Sequence, residues 1–369
     1  MIIDFIHFLT EATNPRTPHP EDEIFNGSAL ATQAINGLVA VTANPGGLTI
    51  KWDGKPALIF GRTESGQLAV MDKYMFDRGV LATSPEDWQK YDTEKATGTQ
   101  RPELYQQLAN IWPSLDAAVI NAGFYWGDLL YTKPLRPVQG QFIFRPNLVE
   151  YRVPESSKLG KLIAGTQGGI VVHQYFSNLG SSPTQWTGAG LSNIPGGIAI
   201  ITPDMGIKFN LNKPVQLVQA AKSAVRTYGS AVDELFASIP QSTKDRIKTY
   251  FNKRITNQTT QDLPQWLKAN ISDKQYQILV GDNNNGILFI EENGKINPSM
   301  GYTGLLAIWN SIYALKQNLA EQLEPQIQGM GQYINGSPAG EGFVFPTPNG
   351  LVKIVNRGVF GTAHFAKAG

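Results

Sequence analysis

The sequence predicts an α+β fold: a core of antiparallel sheets flanked by helices, with a helical domain inserted into it. Three observations carry this prediction. Residues 48–202 hold a series of short runs rich in Val, Ile, Phe, Tyr and Trp, punctuated by Gly, Pro and Asn. From about Asn212 the apolar residues recur at helical spacing instead. After Gly329 the chain returns to strand and turn. The expected division is residues 1–212 as core, 213–332 as inserted helical domain, and 333–369 as the return to the core.

Composition limits the function classes. The 369 residues suffice for a sizeable core and two domains. A net charge of +1 gives no global basic field of the kind that marks a nucleic-acid binder, and leaves room for a local basic groove. The chain has no cysteine, which excludes disulfides, thiolate zinc sites and cysteine nucleophiles. That fits a reducing, cytoplasmic location. The opening MIIDFIHFLTEA has an apolar face, no basic leader and no small-residue cleavage site, and is too short to span a bilayer. A short amphipathic helix and no membrane partner are expected.

Along the chain, HPEDEIFNG (19–27) groups His19, Glu21, Asp22 and Glu23. Two readings stand: a metal or substrate site, or a helix start with Pro20 early and acids favoured by the dipole. Residues 48–62 read as strands around a Gly turn, and 67–76 as a further strand. Residues 101–121 read as a helix that Pro113 should kink or end. Strands are predicted at 124–131, 141–153, 168–176 and 198–202, with a Gly/Ser/Pro loop at 177–197. Helices follow, the longest from about Thr303, capped there or by a neighbour. GDNNNG (281–286) reads as a turn, and EGFVFPTPNGLVKIVN as a hairpin with Asn349-Gly350 at its tip.

The chemistry is concentrated in Ile50-Lys51-Trp52-Asp53-Gly54. A lysine in an apolar, β-branched run loses proton affinity as it is desolvated and becomes a usable amine nucleophile. Asp53 is placed to orient or neutralise it, and Gly54 permits close approach of a phosphate or a backbone.

This K-x-D-G pattern resembles motif I of the covalent nucleotidyltransferases, the ATP-dependent DNA and RNA ligases and the mRNA-capping enzymes. In that superfamily the lysine takes a nucleoside monophosphate as a phosphoramide. Later segments resemble its other motifs in order, and the layout is most similar to that of bacteriophage RNA ligases. VMDKYMF places Lys73 where motif Ia has a phosphate-facing lysine. FYWGDLLY resembles motif III, with Asp128 where Glu is more usual. GGIVVHQYF resembles motif IIIa, with Tyr175 and Phe176 as candidates to stack on a purine; His173 there is expected to be a hydrogen-bonded structural residue. EGFVF resembles motif IV, with Glu341 as a metal carboxylate. GLVKIVN resembles motif V, with Lys353 on the α-phosphate and Val355 where many members carry a second lysine.

The resemblance covers roughly residues 45–176 and 335–357 and implies a ligase-type, ATP-grasp-like core. It implies Lys51, Asp53, Lys73 and Lys353 as catalytic residues. Ile50, Lys51, Gly54, Arg62, Asp128, Tyr175, Phe176 and Lys353 would surround the nucleotide, and Glu341 and Asp128 would hold the metal. ATP and Mg²⁺, with Mn²⁺ as a substitute, are the implied cofactors, and RNA or DNA ends the implied partners. Only NRGVFGTAHFAKAG follows the last motif, too few residues for the OB-fold that DNA ligases and capping enzymes add. This points to an RNA ligase. Two alternatives stay open: nucleotide transfer to another acceptor (DNA, a cap or a protein), and a non-catalytic binding or virion protein. Lys244, Arg246, Lys248, Lys253 and Arg254 suit an RNA-facing cluster or a solvated helix face. The opening and K-W-D-G-x-P-A also resemble uncharacterised proteins of large tailed bacteriophages, which would place the chain in the host cytoplasm.

Overall fold

A computed structural model describes residues 18–94, 100–179, 181–282, 286–293, 295–348 and 350–365. The amphipathic helix expected at the start of the chain, most of GDNNNG and Asn349 lie outside these residues. In chain order the elements are a 3-10 turn (Pro20–Asn26), α1 (Ser28–Ala43), β1 (Thr49–Ile50), β2 (Ala57–Arg62), β3 (Leu68–Met71), α2 (Lys73–Phe76), α3 (Pro85–Glu94), α4 (Pro102–Ala118), β4 (Gly123–Tyr131), β5 (Gln141–Phe144), β6 (Glu150–Pro154), α5 (Lys158–Ile163), β7 (Gly168–Phe176), β8 (Thr184–Gln185) and β9 (Ile198–Ile201). Then come α6 (Val215–Ala237), α7 (Gln241–Ile255), α8 (Leu263–Asn270), α9 (Asp273–Leu279), β10 (Val280–Asp282), β11 (Phe289–Glu292), β12 (Lys295–Pro298), α10 (Met300–Leu323), β13 (Gly331–Ile334), β14 (Ser337–Pro338), β15 (Phe343–Thr347), β16 (Gly350–Ile354) and α11 (Arg357–Phe365). The protein is therefore α+β, with mostly antiparallel pairing; β7–β9 and β10–β11 are parallel.

The chain forms two compact units. Of the described residues, the first holds those within 50–207 and 327–341, and the second those within 18–49, 208–326 and 342–365. This division differs from the expected one: the helices at 208–326 share a unit with residues 17–49 and with the C-terminal hairpin.

In the first unit a six-stranded sheet runs β3-β2-β4-β7-β8, with β9 beside β7, and a four-stranded sheet runs β14-β13-β6-β5. Its core packs Leu58, Phe60, Tyr125, Ile170 and Val172 from the large sheet with Leu108, Ile111 and Leu115 from α4. The second unit is built on α6 lying along α10. Gly304 permits that approach, since a Cβ there would sit 2.6 Å from the Cβ of Tyr228. The same unit holds the β15–β16 hairpin, paired Phe343↔Ile354 to Thr347↔Gly350, as its strand–turn–strand pattern predicted.

Several local expectations are corrected. The strand at 67–76 ends at Met71, because the Asp72 carboxylate accepts the Met75 N–H (2.9 Å) and starts α2. Lys73 thus stands in the first turn of a short helix. α4 continues through Pro113 to Ala118. Pro113 is exposed, so the missing hydrogen bond faces water while Leu108, Ile111 and Leu115 stay buried in line. The single strand at 141–153 is a hairpin, β5 and β6. Ser299, whose hydroxyl accepts the Tyr302 N–H, caps the long helix in place of Thr303. A three-stranded sheet, β10-β11-β12, interrupts the helices of the second unit.

Candidate functional site

The site residues begin in the K-W-D-G segment, which docks on the end of β4. Ile50 is fully buried and its N–H bonds the Pro203 carbonyl (2.9 Å). Trp52 is buried and stacks on Tyr151 at a centroid distance of 5.0 Å. These two anchors leave Lys51, between them, turned the other way, as alternation along an extended chain requires. The Lys51 side chain is 37% exposed and its ammonium pairs with Glu341 Oε2. The lysine of K-W-D-G and the glutamate of EGFVF therefore meet within the first unit.

Asp53 is held by a dense set of hydrogen bonds. Both of its carboxylate oxygens turn to the β5–β6 turn, accepting from Asn147 Nδ2 (2.8 Å), Leu148 N (2.5 Å) and Val149 N (2.7 Å). Its own N–H donates to the Tyr151 hydroxyl (2.6 Å). It fastens the loop that carries Lys51 to the β5–β6 turn. Gly54 likewise makes room for protein: a Cβ there would lie 2.3 Å from Asp128 Cβ and 3.0 Å from the Leu129 carbonyl. The Lys55 N–H bonds that same carbonyl (2.9 Å).

Asp128 is thus adjacent to the lysine-bearing loop. Its Oδ2 lies 3.1 Å from His173 Nε2, the hydrogen-bonded role expected of that histidine. A bulge on β7 between the pairs Trp126↔Gln174 and Gly127↔Val172 leaves His173 without a partner in the register. Ala57 pairs with Asp128, and Ile59 with both Trp126 and Met71, so Lys73, two residues past Met71, stands at this same end of the sheet.

Other expected residues lie elsewhere. Side chains alternate across a strand, and Tyr125 and Asp128 on β4 fall on opposite faces. Tyr175 pairs with Tyr125 and packs on it at 5.3 Å, so it belongs to the face away from Asp128. Arg62 is on that far face too, where its guanidinium holds the Asp116 carboxylate and the Val119 carbonyl at the end of α4. Phe176 is on the near face but fully buried, packed between Phe76 and Trp126. Tyr175 and Arg62 therefore face away from Asp128, and Phe176 shares its face but is buried. Lys353 belongs to the second unit, on β16 opposite Val344, with Nζ 5.9 Å from the Phe360 ring centroid.

Among the described residues no group of three or more His, Asp or Glu side chains could hold a metal ion. The metal reading of HPEDEIFNG fails for a specific reason. In the second unit Glu21 pairs with Lys316 and Arg357, and Asp22 with Arg357 and the Trp309 indole N–H (3.2 Å). The alternative, a helix start, is what forms: the 3-10 turn Pro20–Asn26 with Pro20 in its first turn. The α7 cations divide as well. Lys244 and Lys248 are four apart on one flank, and Arg246 and Lys253 seven apart on another. Lys244 lies over Phe236 and Lys253 over Trp266.

Sequence reasoning missed Tyr151 and Asn147, the partners that immobilise Asp53. The Asn147 turn inside RPNLVEY was the available signal, and it was absorbed into one long predicted strand. No helix among the described residues is long and apolar enough to cross a membrane. No curated protein and no solved structure matches the chain. A family model matches residues 16–368, and the chain accordingly belongs to DUF6267, a family of unknown function.

Proposed function

We propose that the chain is a nucleotidyltransferase of the ATP-dependent RNA ligase type, with a ligase-type core in its first unit and Lys51 as the nucleophile. The observation that supports this is the Lys51–Glu341 pair, an amine and a carboxylate from distant segments, the lysine partly open to solvent. Both residues were assigned to the reaction on their motifs alone.

The chemistry follows from what the residues can do. Deprotonated Nζ of Lys51 attacks the α-phosphorus of ATP; a P–N bond forms, the P–O bond to pyrophosphate breaks, and pyrophosphate leaves. An RNA 5′-phosphate oxygen then takes the AMP as the P–N bond breaks, and a 3′-hydroxyl displaces AMP to make the phosphodiester. Glu341 accepts the Lys51 proton or holds the ammonium until substrate arrives. The Asp53 loop keeps the amine in place, and Lys73 is the nearest candidate on this sheet end to meet phosphate charge. Glu341 and Asp128 offer the hard oxygen ligands that suit Mg²⁺ or Mn²⁺, which takes its remaining ligands from phosphates and water. Such an ion would neutralise phosphate charge.

The test is incubation with α-labelled ATP and Mg²⁺, followed by a 5′-phosphorylated RNA. A protein-bound label stable to base and labile to acid, chased into sealed RNA, is the expected result. Label that chases into DNA or protein instead moves the acceptor; absence of label with both ATP and GTP refutes the enzyme reading and leaves a non-catalytic binding protein.

A further inference from the structure

The far face of the large sheet carries a second candidate site. A cleft of ≈ 210 Å³ opens beside β4 and β7, lined by Asn121, Tyr125, Tyr175, Gln185, Trp186 and Gly190 among others. Its floor is Tyr125, fully buried, whose hydroxyl has no hydrogen-bond partner. An unmade hydrogen bond at a buried hydroxyl costs stability unless something completes it. The neighbouring groups are already committed. The Tyr175 hydroxyl donates to the Ala122 carbonyl (3.3 Å), and the Trp186 indole N–H to the Ala189 carbonyl (2.7 Å). These bonds fix two aromatic walls and leave the Tyr125 hydroxyl as the polar point between them.

We propose that this cleft binds a neutral, planar heterocycle of the nucleobase class, with its polar edge on the Tyr125 hydroxyl. Among the described residues no charged side chain lines it, which disfavours phosphate and any ionic ligand. Asn121 and Gln185 add primary amides, which present a donor and an acceptor together and match the mixed edge of a base. Aromatic walls supply the stacking surface that unpaired bases use. Burial, with Tyr175 beside it, pushes the Tyr125 phenol up to about 12, so it stays protonated and can both donate and accept. Gly190 keeps the cleft open: at φ +80 it carries no side chain, and a Cβ there would lie 2.0 Å from the Tyr125 hydroxyl oxygen. The cleft is on the face opposite Asp128, so the inference does not rest on lysine nucleotidylation.

The test uses the full chain, with adenosine, guanosine, cytidine and uridine as probes and methyl glucoside as control. Binding is read by saturation-transfer NMR and by tyrosine and tryptophan fluorescence. At least one nucleoside should bind, its 5′-monophosphate no more tightly, and Lys51→Ala should leave that affinity unchanged. Tyr125→Phe should weaken it at least tenfold while the melting temperature holds or rises, because the substitution removes an unpaired hydroxyl and nothing else. Four results overturn the proposal: no nucleoside binding, binding within twofold of wild type in Tyr125→Phe, a lower melting temperature in that variant, or binding of the glucoside alone. Loss of nucleoside binding in Lys51→Ala would place the base in the nucleotide site and overturn it too. Adduct formation with ATP is scored separately, so failure of the enzyme reading leaves this outcome legible.

Discussion

Two charge clusters in this protein use the same chemistry under opposite conditions. In the second unit Glu21, Asp22, Lys316 and Arg357 neutralise one another, and the Glu21 and Lys316 side chains are 0% exposed. In the first unit Lys51 and Glu341 pair with the lysine 37% exposed. A fully buried network has no surface for a substrate, and each charge in it depends on the others. A half-open pair gains little stability and leaves its charges within reach of a substrate. The contrast separates a structural cluster from a candidate reactive one, although HPEDEIFNG also admitted a ligand-site reading in sequence.

The strongest way to break the comparison is to remove one buried partner. Lys316→Ala leaves Glu21 short of its closest cation and should cost about 3–5 kcal/mol of stability. Chemical denaturation measures it. A loss below about 1 kcal/mol, the range of a surface pair, would erase the distinction.

Next is Asp53, expected to orient the lysine, whose carboxylate fastens the lysine-bearing loop. Its carboxylate accepts three hydrogen bonds. Asp53→Ala should therefore cost at least about 1.5–3 kcal/mol. An unchanged melting temperature with lost activity would return Asp53 to the catalytic set.

A smaller, pH-dependent effect should come from His19. Burial, and then the charges of Arg357, Lys316, Lys353 and Lys248, hold its imidazole far below the usual range, and its Nδ1 has no hydrogen-bond partner. The sign follows from proton counting. Below an unfolded value of about 6.5 the unfolded chain binds a proton that the folded chain refuses, so stability falls as pH drops. The slope approaches about 1.4 kcal/mol per pH unit. His19→Gln should flatten the His19 part of the curve between pH 7 and 5; an unaltered curve would show that His19 does not titrate in that window.

Much of this was legible in sequence. Apolar, aromatic runs found β4 and β7, and a polar turn between two such runs found the β15–β16 hairpin. Lys51 and Glu341 were each singled out on their motifs, as nucleophile and as metal carboxylate, and their contact was not foreseen. What stayed hidden depended on register and distance. Tyr175 and Phe176 are neighbours with similar chemistry, and only the pairing of β7 on β4 decides that one faces α4 and the other is sealed under Trp126. The extra residue at His173 shifts that register, and nothing local announces a bulge. Glu21 finds Lys316 across 295 residues, a separation no window of sequence spans. Asp72, ending a strand and capping a helix, hid the turn that moved Lys73.

The smallest expected effect on stability belongs to Lys51→Ala, below about 1 kcal/mol. Its expected effect on chemistry is complete. The most direct measurement is mass-spectrometric mapping of the protein after incubation with ATP and Mg²⁺. One AMP on the peptide that contains Lys51, absent from a folded Lys51→Ala variant, is the predicted result. AMP on Lys73, Lys353 or another residue, or equal labelling of wild type and Lys51→Ala, would contradict the account.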